Sequence, residues 1–198
     1  MITAFVDSSP VLVWRFDEPR LAISSAPYGG GIGDRGWVLN ATVPSGYDRL
    51  DPDRHIAEIA RELNLAGPGI GLLTAVDVRK VIAVTERGVT AYVTTGVRVP
   101  TWAAAPDATG ERIGTINAVC RLPVRLGPAA LVNAVATVTE AKSQALFEAG
   151  VDGTGTATDA VVLLCPTFGP AEQYGGPRSR IGAALARAVH EAVSSGLR

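Results

Sequence analysis

Apolar runs of strand length divide most of the chain, and two longer stretches repeat with a helical period. VLVWRF (Val11–Phe16) and LAISS (Leu21–Ser25) have the length and apolar content of strands, and Asp17-Glu18-Pro19 between them predicts a turn. WVLNATV (Trp37–Val43) predicts a third strand. Asp51-Pro52 starts a helix to about Leu65, with Ile56, Ile59 and Leu63 on one face. VRKVIAVT (Val78–Thr85) and GVTAYVTT (Gly88–Thr95) predict a hairpin around Glu86-Arg87-Gly88. GTINAVCRL (114–122) predicts a strand, Pro128 to about Ala149 a long helix, DAVVLLC (159–165) a strand, and about Arg178 to Ser195 a last helix. Val97–Glu111, with prolines, Trp102 and three consecutive alanines, shows neither period and reads as a long surface loop.

These elements recur in order. The first half has LNATV, a helix begun by Pro52, a glycine-rich turn, then TAVDV and a strand. The second has INAVC, a helix begun by Pro128, a glycine-rich turn, then TATDA and a strand. The gap from asparagine to proline is 12 residues in one half (40 to 52) and 11 in the other (117 to 128). Order, spacing and residue type together predict one domain, 1–198, with pseudo-repeats at about 36–95 and 113–166. Strand–helix–strand units give an α/β fold. A helix covers only one face of its sheet, so the other face also needs a cover. Two units stacked sheet to sheet would form helix, sheet, sheet and helix layers. A single mixed sheet with helices on both sides is the alternative, and the pattern favours neither.

Composition narrows the partners. A net charge of −1 and the lack of any basic run exclude nucleic acid and acidic membrane surfaces as ligands. No window reaches the about 18 apolar residues of a membrane span, and MITAFVDSSPVLVWRF lacks the cationic start of a signal peptide. Cys120 and Cys165 lie within strand-like runs without metal-type spacing, which predicts reduced core thiols in a soluble, cytoplasmic protein.

Several residues stand out against this background. SSAPYGGGIG (24–33) offers backbone amides for close approach, as a ligand-lining loop or as a flexible hairpin connection. A strand follows it rather than a helix, and neither G-x-G-x-x-G nor a Walker lysine is present, so it is no phosphate cradle. Lys142 projects into the middle of the apolar face formed by Leu131, Val135, Val138, Ala145, Leu146 and Ala149. It must snorkel, find a partner or face a site. Glu140 falls on the opposite, polar face with Asn133, Gln144 and Glu148, as a solvated residue would. Asn40 and Asn117 occupy strand interiors, where they either bond neighbouring backbone or present amides to an amide-rich substrate. Thr115 and Thr156 are the hydroxyls beside them, needing a base or a cation for activation. Asp77 and Asp159 hold the same place in TAVDV and TATDA, which predicts two walls of one pocket, with Asp159 nearer the Lys142 helix. His55 and His190 have no partner motif, and G-x-S-x-G and H-E-x-x-H are absent, which argues against serine and zinc hydrolases.

SSAPYGGG (24–31), LNATVP (39–44), GLLTAVDV (71–78), TTG (94–96), GTIN (114–117), EAK (140–142 with its flanks), TGTATDA (154–160) and YGGP (174–177) occur in an order that resembles the adenosylcobinamide amidohydrolases, the CbiZ-type corrinoid-salvage enzymes. The resemblance runs from about Val11 to Val193. It implies hydrolysis of the amide between the aminopropanol arm and the corrin ring, releasing adenosylcobyric acid. The corrinoid is then a small-molecule substrate rather than a cofactor, no metal ligands are needed, and a homo-oligomer stays open. The implied substrate contacts are Ser25, Gly30, Asn40, Thr74, Asp77, Asn117 and Thr156, with Trp37, Trp102, Tyr28 and Tyr174 either flanking the macrocycle or lying in the core. Lys142, Asp159, Thr115 and Glu140 are the implied catalytic set. Either Thr115 attacks the amide with help from Lys142, or Asp159 or Glu140 activates water. Ala157 stands where the family pattern has glycine, a strained replacement if that position needs positive φ. A non-catalytic corrinoid-binding protein is the alternative function.

Overall fold

The computed structural model describes residues 1–105 and 114–198. Its strands are β1 (Ile2–Val6), β2 (Ser9–Ser24), β3 (Gly31–Thr42), β4 (Gly69–Thr74), β5 (Ile82–Glu86), β6 (Val89–Gly96), β7 (Thr115–Arg121), β8 (Arg125–Leu126), β9 (Ala160–Cys165) and β10 (Ala171–Glu172). Its helices are α1 (Pro52–Glu62), α2 (Pro128–Glu148) and α3 (Arg180–Leu197).

Local chemistry explains most boundaries. Proline opens α1 and α2, where its missing N–H has no intrahelical partner in any case. Ser179 caps α3 by accepting from the Gly182 amide at 3.0 Å. Asn64 (φ 51°) and Gly150 (φ 73°) end α1 and α2 in the left-handed conformation. Arg87 and Gly88, and likewise Asp7 and Ser8, pair positive φ angles in the tight turns of the β5–β6 and β1–β2 hairpins.

The structure corrects four expectations. Asp17-Glu18-Pro19 makes no turn, because β2 runs through it as one 16-residue strand with a register shift between Arg15 and Arg20. Proline is tolerated there because the ladder lapses at the shift. The glycine-rich segment before Thr74 is strand β4, and its glycines let other groups come close. A β-carbon on Gly71 would meet Ile56 of α1. Val78–Lys80 is a 3-10 turn, so β5 begins only at Ile82. β1 adds a strand the pattern did not reveal. In the expected loop at 97–111, residues 97–105 hold no named helix or strand beyond the end of the segment that pairs Thr101 with Gly155, and 106–111 lie outside the described residues.

Hydrogen bonding joins eight strands into one mixed sheet in the order β4-β3-β2-β9-β7-β6-β5, with β1 also on β2. β3–α1–β4 and β7–α2–β9 are both parallel strand–helix–strand units. β2 links them: its first part pairs with β1 and the end of β3, its last part with β9 and the start of β3. The sheet folds over at this strand, so the two candidate architectures merge. It is one sheet by hydrogen bonding and two facing layers by packing.

Alternation along the strands makes the layers explicit. Trp37, Leu39 and Ala41 of β3 pack with α1, whereas Val38 of β3 joins Ile70 and Leu72 of β4 against Val119 of β7 and Ala160 and Val162 of β9. The opposite face of the second unit, with Ile116, Ala118, Leu163 and Cys165, packs on α2 and α3. Both cysteines are free and buried, and burial pushes the Cys120 thiol up to about 12.

One polar contact crosses the facing layers. Asn117 donates from Nδ2 to Asn40 Oδ1 and to the Leu73 carbonyl, both at 3.0 Å, and Asn40 donates to Thr94 Oγ1 at 3.2 Å. Both asparagines are about 1–2% exposed, so each unmade bond would carry a desolvation cost. Asn40→Ala removes partners of both Asn117 and Thr94 without touching a surface. It is expected to lower unfolding free energy by about 1–3 kcal/mol in urea titration, with an unchanged denaturant slope.

Candidate active site

A cavity of about 730 Å³ opens where the second unit meets the first. Its floor holds Ser25, Thr74, Thr115, Asn117, Thr158 and Asp159, and its far wall is the segment between β3 and α1, including Tyr47, Asp48 and Arg49. These floor residues come from the ends of β2 and β4 and the starts of β7 and β9, which the folded sheet brings to one edge.

Asp159 organises the floor. Oδ1 accepts from the Ile116 amide at 2.8 Å and from Thr156 Oγ1 at 2.5 Å. Oδ2 accepts from the Thr156 amide at 3.0 Å and from Lys142 Nζ at 2.5 Å. Four donors match the about four lone-pair sites of a carboxylate. Lys142 is therefore neither snorkelled nor unpaired: it crosses the apolar face of α2 to a carboxylate, with both side chains 14% exposed. Gly155 lies directly over this ion pair, and a β-carbon there would strike Asp159 Oδ2 and Lys142 Nζ. Ala157 is not among the residues with positive φ, so its replacement of glycine carries no backbone strain.

Beside the carboxylate is a hydroxyl pair that the motifs did not disclose. Thr115 Oγ1 and Thr158 Oγ1 lie 2.6 Å apart, and Thr158 Oγ1 donates to the Gly114 carbonyl at 3.0 Å. A hydroxyl has one proton, so with Thr158 donating to Gly114 it is Thr115 that donates to Thr158. That leaves the Thr115 lone pairs directed elsewhere. Thr158 could have been found only as the residue next to Asp159, since nothing in its own spacing marks it.

The other implied residues divide. Ser25 lines the cavity and its Oγ accepts from the Val161 amide at 3.0 Å, which leaves its hydroxyl proton unassigned among the described residues. Thr74 lines the cavity with its Oγ1 accepting from the Val76 amide at 3.2 Å. Asn117 reaches the cavity, but both protons of its amide are committed, so it offers a substrate only an acceptor. Asn40 stands behind it, between the layers, and does not line the cavity. Thr156 contributes through Asp159 rather than to the cavity surface.

Asp77, Glu140 and Gly30 are not part of this arrangement. TAVDV follows β4 whereas TATDA precedes β9, so the two aspartates sit at opposite ends of corresponding strands. Asp77 caps the 78–80 turn, and the Arg79 guanidinium holds its carboxyl at about 2. Glu140 lies on the exposed face of α2, in a separate groove with Arg187 and His190. Gly30 sits against the Ser24 and Ala26 carbonyls, and its own carbonyl accepts from Arg35. The aromatic residues divide too: Trp37 and Tyr28 stack in the α1 core, whereas Trp102 and Tyr174 are exposed.

The wall opposite the floor is held by its own side chains. Arg49 makes paired contacts to Asp51 and Glu58, with guanidinium–carboxylate distances of 2.7–3.2 Å. Tyr47 stacks on His55 at 5.4 Å, and Tyr47 Oη lies 3.0 Å from His55 Nδ1. Burial first, and the nearby Arg49 charge second, push the His55 imidazole below its ordinary range. His190 lies 2.8 Å from Glu148 at the surface. Among the described residues no group of three or more His, Cys, Asp or Glu could hold a metal ion, and no helix is long and apolar enough to cross a membrane.

The family model described as adenosylcobinamide amidohydrolase (CbiZ) matches residues 2–198. An adenosylcobinamide amidohydrolase of Methanosarcina mazei is 31% identical over 170 residues, covering 81% of this chain and 82% of that protein. One from Halobacterium salinarum is 39% identical over 98 residues, covering 50% of this chain and 42% of that protein. An uncharacterised protein of Methanocaldococcus jannaschii is 33% identical over 95 residues, covering 44% of this chain and 37% of it.

The depressed His55 gives the wall a pH signature. The unfolded chain takes up this proton more readily than the folded one, so stability is full above the ordinary imidazole range and falls as pH drops through it. Between pH 7 and 5, the wild-type loss of stability is expected to exceed that of His55→Gln, as followed by chemical denaturation at each pH.

Proposed function

Because this chain belongs to the adenosylcobinamide amidohydrolase family, we propose that it hydrolyses the aminopropanol amide of adenosylcobinamide and yields adenosylcobyric acid for corrinoid salvage. The observation that carries the mechanism is the Thr115–Thr158 hydroxyl pair on the cavity floor, beside a carboxylate with no free acceptor site.

That saturation supports the threonine route over activated water. A general base needs an open lone pair for the proton it removes. Asp159 has four donors already, and Glu140 is on another face of the protein. Thr115 has lone pairs not committed to a donor and a proton already directed to Thr158. In this reading Thr115 Oγ1 attacks the amide carbonyl carbon as its proton passes to Thr158 Oγ1, and Thr158 turns its own hydroxyl proton from the Gly114 carbonyl to the departing nitrogen. The C–N bond breaks, aminopropanol leaves, and a corrinoid ester remains on Thr115. Water then cleaves the ester, restoring the hydroxyl and releasing the carboxylate.

The remaining groups suit the charge changes. Lys142 offsets the charge of Asp159, so the carboxylate under the floor does not oppose negative charge forming on the carbonyl oxygen. Asn117, with an acceptor alone toward the cavity, is matched to an amide N–H rather than to an oxyanion.

Incubation of the pure protein with adenosylcobinamide, followed by mass analysis, is expected to show adenosylcobyric acid and free aminopropanol. Thr115→Val is expected to lower turnover at least a hundredfold, about 2.7 kcal/mol of barrier, and Thr115→Ser to retain most of it. Lys142→Met is expected to lower turnover at least tenfold, about 1.4 kcal/mol. Corrinoid binding without product would leave a binding protein, and full activity in Thr115→Val would remove Thr115 as the nucleophile.

A further inference from the structure

The Lys142–Asp159 pair lies under the loop between α2 and β9, and that loop is itself covered. Segment 100–103 lies along residues 152–155 in an antiparallel arrangement. The Thr101 amide donates to the Gly155 carbonyl at 2.8 Å, and the Thr154 amide donates back to the Thr101 carbonyl at 3.0 Å. The Ala103 amide donates to Thr154 Oγ1 at 3.1 Å, and Trp102 Nε1 donates to Asp152 Oδ1 at 2.9 Å. On the other side of the loop, Ser143 Oγ donates to the Thr154 carbonyl at 2.9 Å, one residue from Lys142.

Two glycines make this layering close. A β-carbon on Gly153 would meet Thr101 and Pro100, and one on Gly155 would meet Lys142 and Asp159. Thus 152–155 is a thin sheet of backbone with the ion pair on one side and the 100–103 strap on the other. We propose that Trp102, through Asp152, is a positioning residue: the strap holds the 152–155 loop down as a shield over Lys142 and Asp159, keeping bulk water from the pair on the side away from the cavity. Neither residue touches the cavity floor, and neither is needed to fill the core. Trp102 is 47% exposed, so its indole does not serve burial. Excluding water at this point strengthens the electrostatics of the pair and holds Ile116 and Thr156 on Asp159 in one geometry.

The chain has only two lysines, Lys80 and Lys142, which makes the shield measurable without any substrate. Lys80 is exposed and acts as an internal standard. Brief acetylation with a water-soluble N-hydroxysuccinimide ester, read by peptide mass mapping, is expected to modify Lys142 at least tenfold more slowly than Lys80. Trp102→Phe removes the N–H donor and shortens the side chain while keeping an aromatic ring, and Asp152→Ala removes the acceptor. Each is expected to raise the Lys142 rate at least threefold with Lys80 unchanged, while Asp152→Asn, which keeps the side-chain oxygen, retains the protection. Equal reactivity of the two lysines in the wild type would overturn the proposal, as would undiminished protection in both Trp102→Phe and Asp152→Ala. The kinetic arm rests on the amidohydrolase reading: kcat is expected to fall at least threefold in Trp102→Phe with KM within twofold of wild type. Absence of hydrolysis in the wild type would overturn that reading and leave the labelling result to decide the shield.

Discussion

The structure follows from one constraint: each parallel strand–helix–strand unit leaves an apolar sheet face that a single helix layer cannot cover. Folding the sheet at β2 answers it by setting the two uncovered faces against each other. Trp37–Ala41 of β3, Ile116–Cys120 of β7 and Val162–Cys165 of β9 are then buried on both sides, which accounts for their mainly apolar runs. The same folding brings together strand ends that are far apart in sequence. Ile116 and Asp159 bond across 43 positions, and Asn40 and Asn117 across 77. The cavity lies at the open edge of the folded layers, so site and core have one cause.

Much of the fold was legible from periodicity. All three helices were anticipated to within a few residues, as were the central strands, because proline starts, left-handed ends and apolar faces are local signals. The failures arose where tertiary context overrode local chemistry. Asp17-Glu18-Pro19 carries turn residues, yet the ladder on both sides draws it into β2. Gly69–Thr74 looks like a turn because glycines abound, but those glycines admit Trp37 and Ile56 against a strand. The choice between one sheet and two was open in the pattern because both descriptions bury the same faces.

The site divided along similar lines. A lysine in the middle of an apolar helix face and an aspartate at a strand entrance were each unusual enough to notice, and they meet. The paired TAxD turns misled, since loop chemistry recurs for local reasons and Asp77 uses its turn only to cap and to hold Arg79. The asparagines could serve backbone or substrate by their pattern, and layer packing takes up the Asn40 side chain against Asn117 and Thr94 and both donors of Asn117. Thr158 and the Arg49 clamp escaped notice because a threonine in a polar loop and charges near a helix start are commonplace. Their significance depends on what faces them across the cavity.

β2 has a mechanical meaning beyond its place in the ladder. It belongs to both layers without a break, so relative hinging of the two units would have to bend a strand hydrogen-bonded to β1, β3 and β9. Domain rocking, the usual way for a two-lobed enzyme to admit a bulky ligand, is thereby denied to this chain. The far wall is built differently: its 43–51 segment carries no named strand or helix, and beyond the bond from the Val43 amide to the Thr74 carbonyl it is tied down by side chains. A ligand approaching the floor therefore meets a bed fixed by strands and a rim held chiefly by side chains.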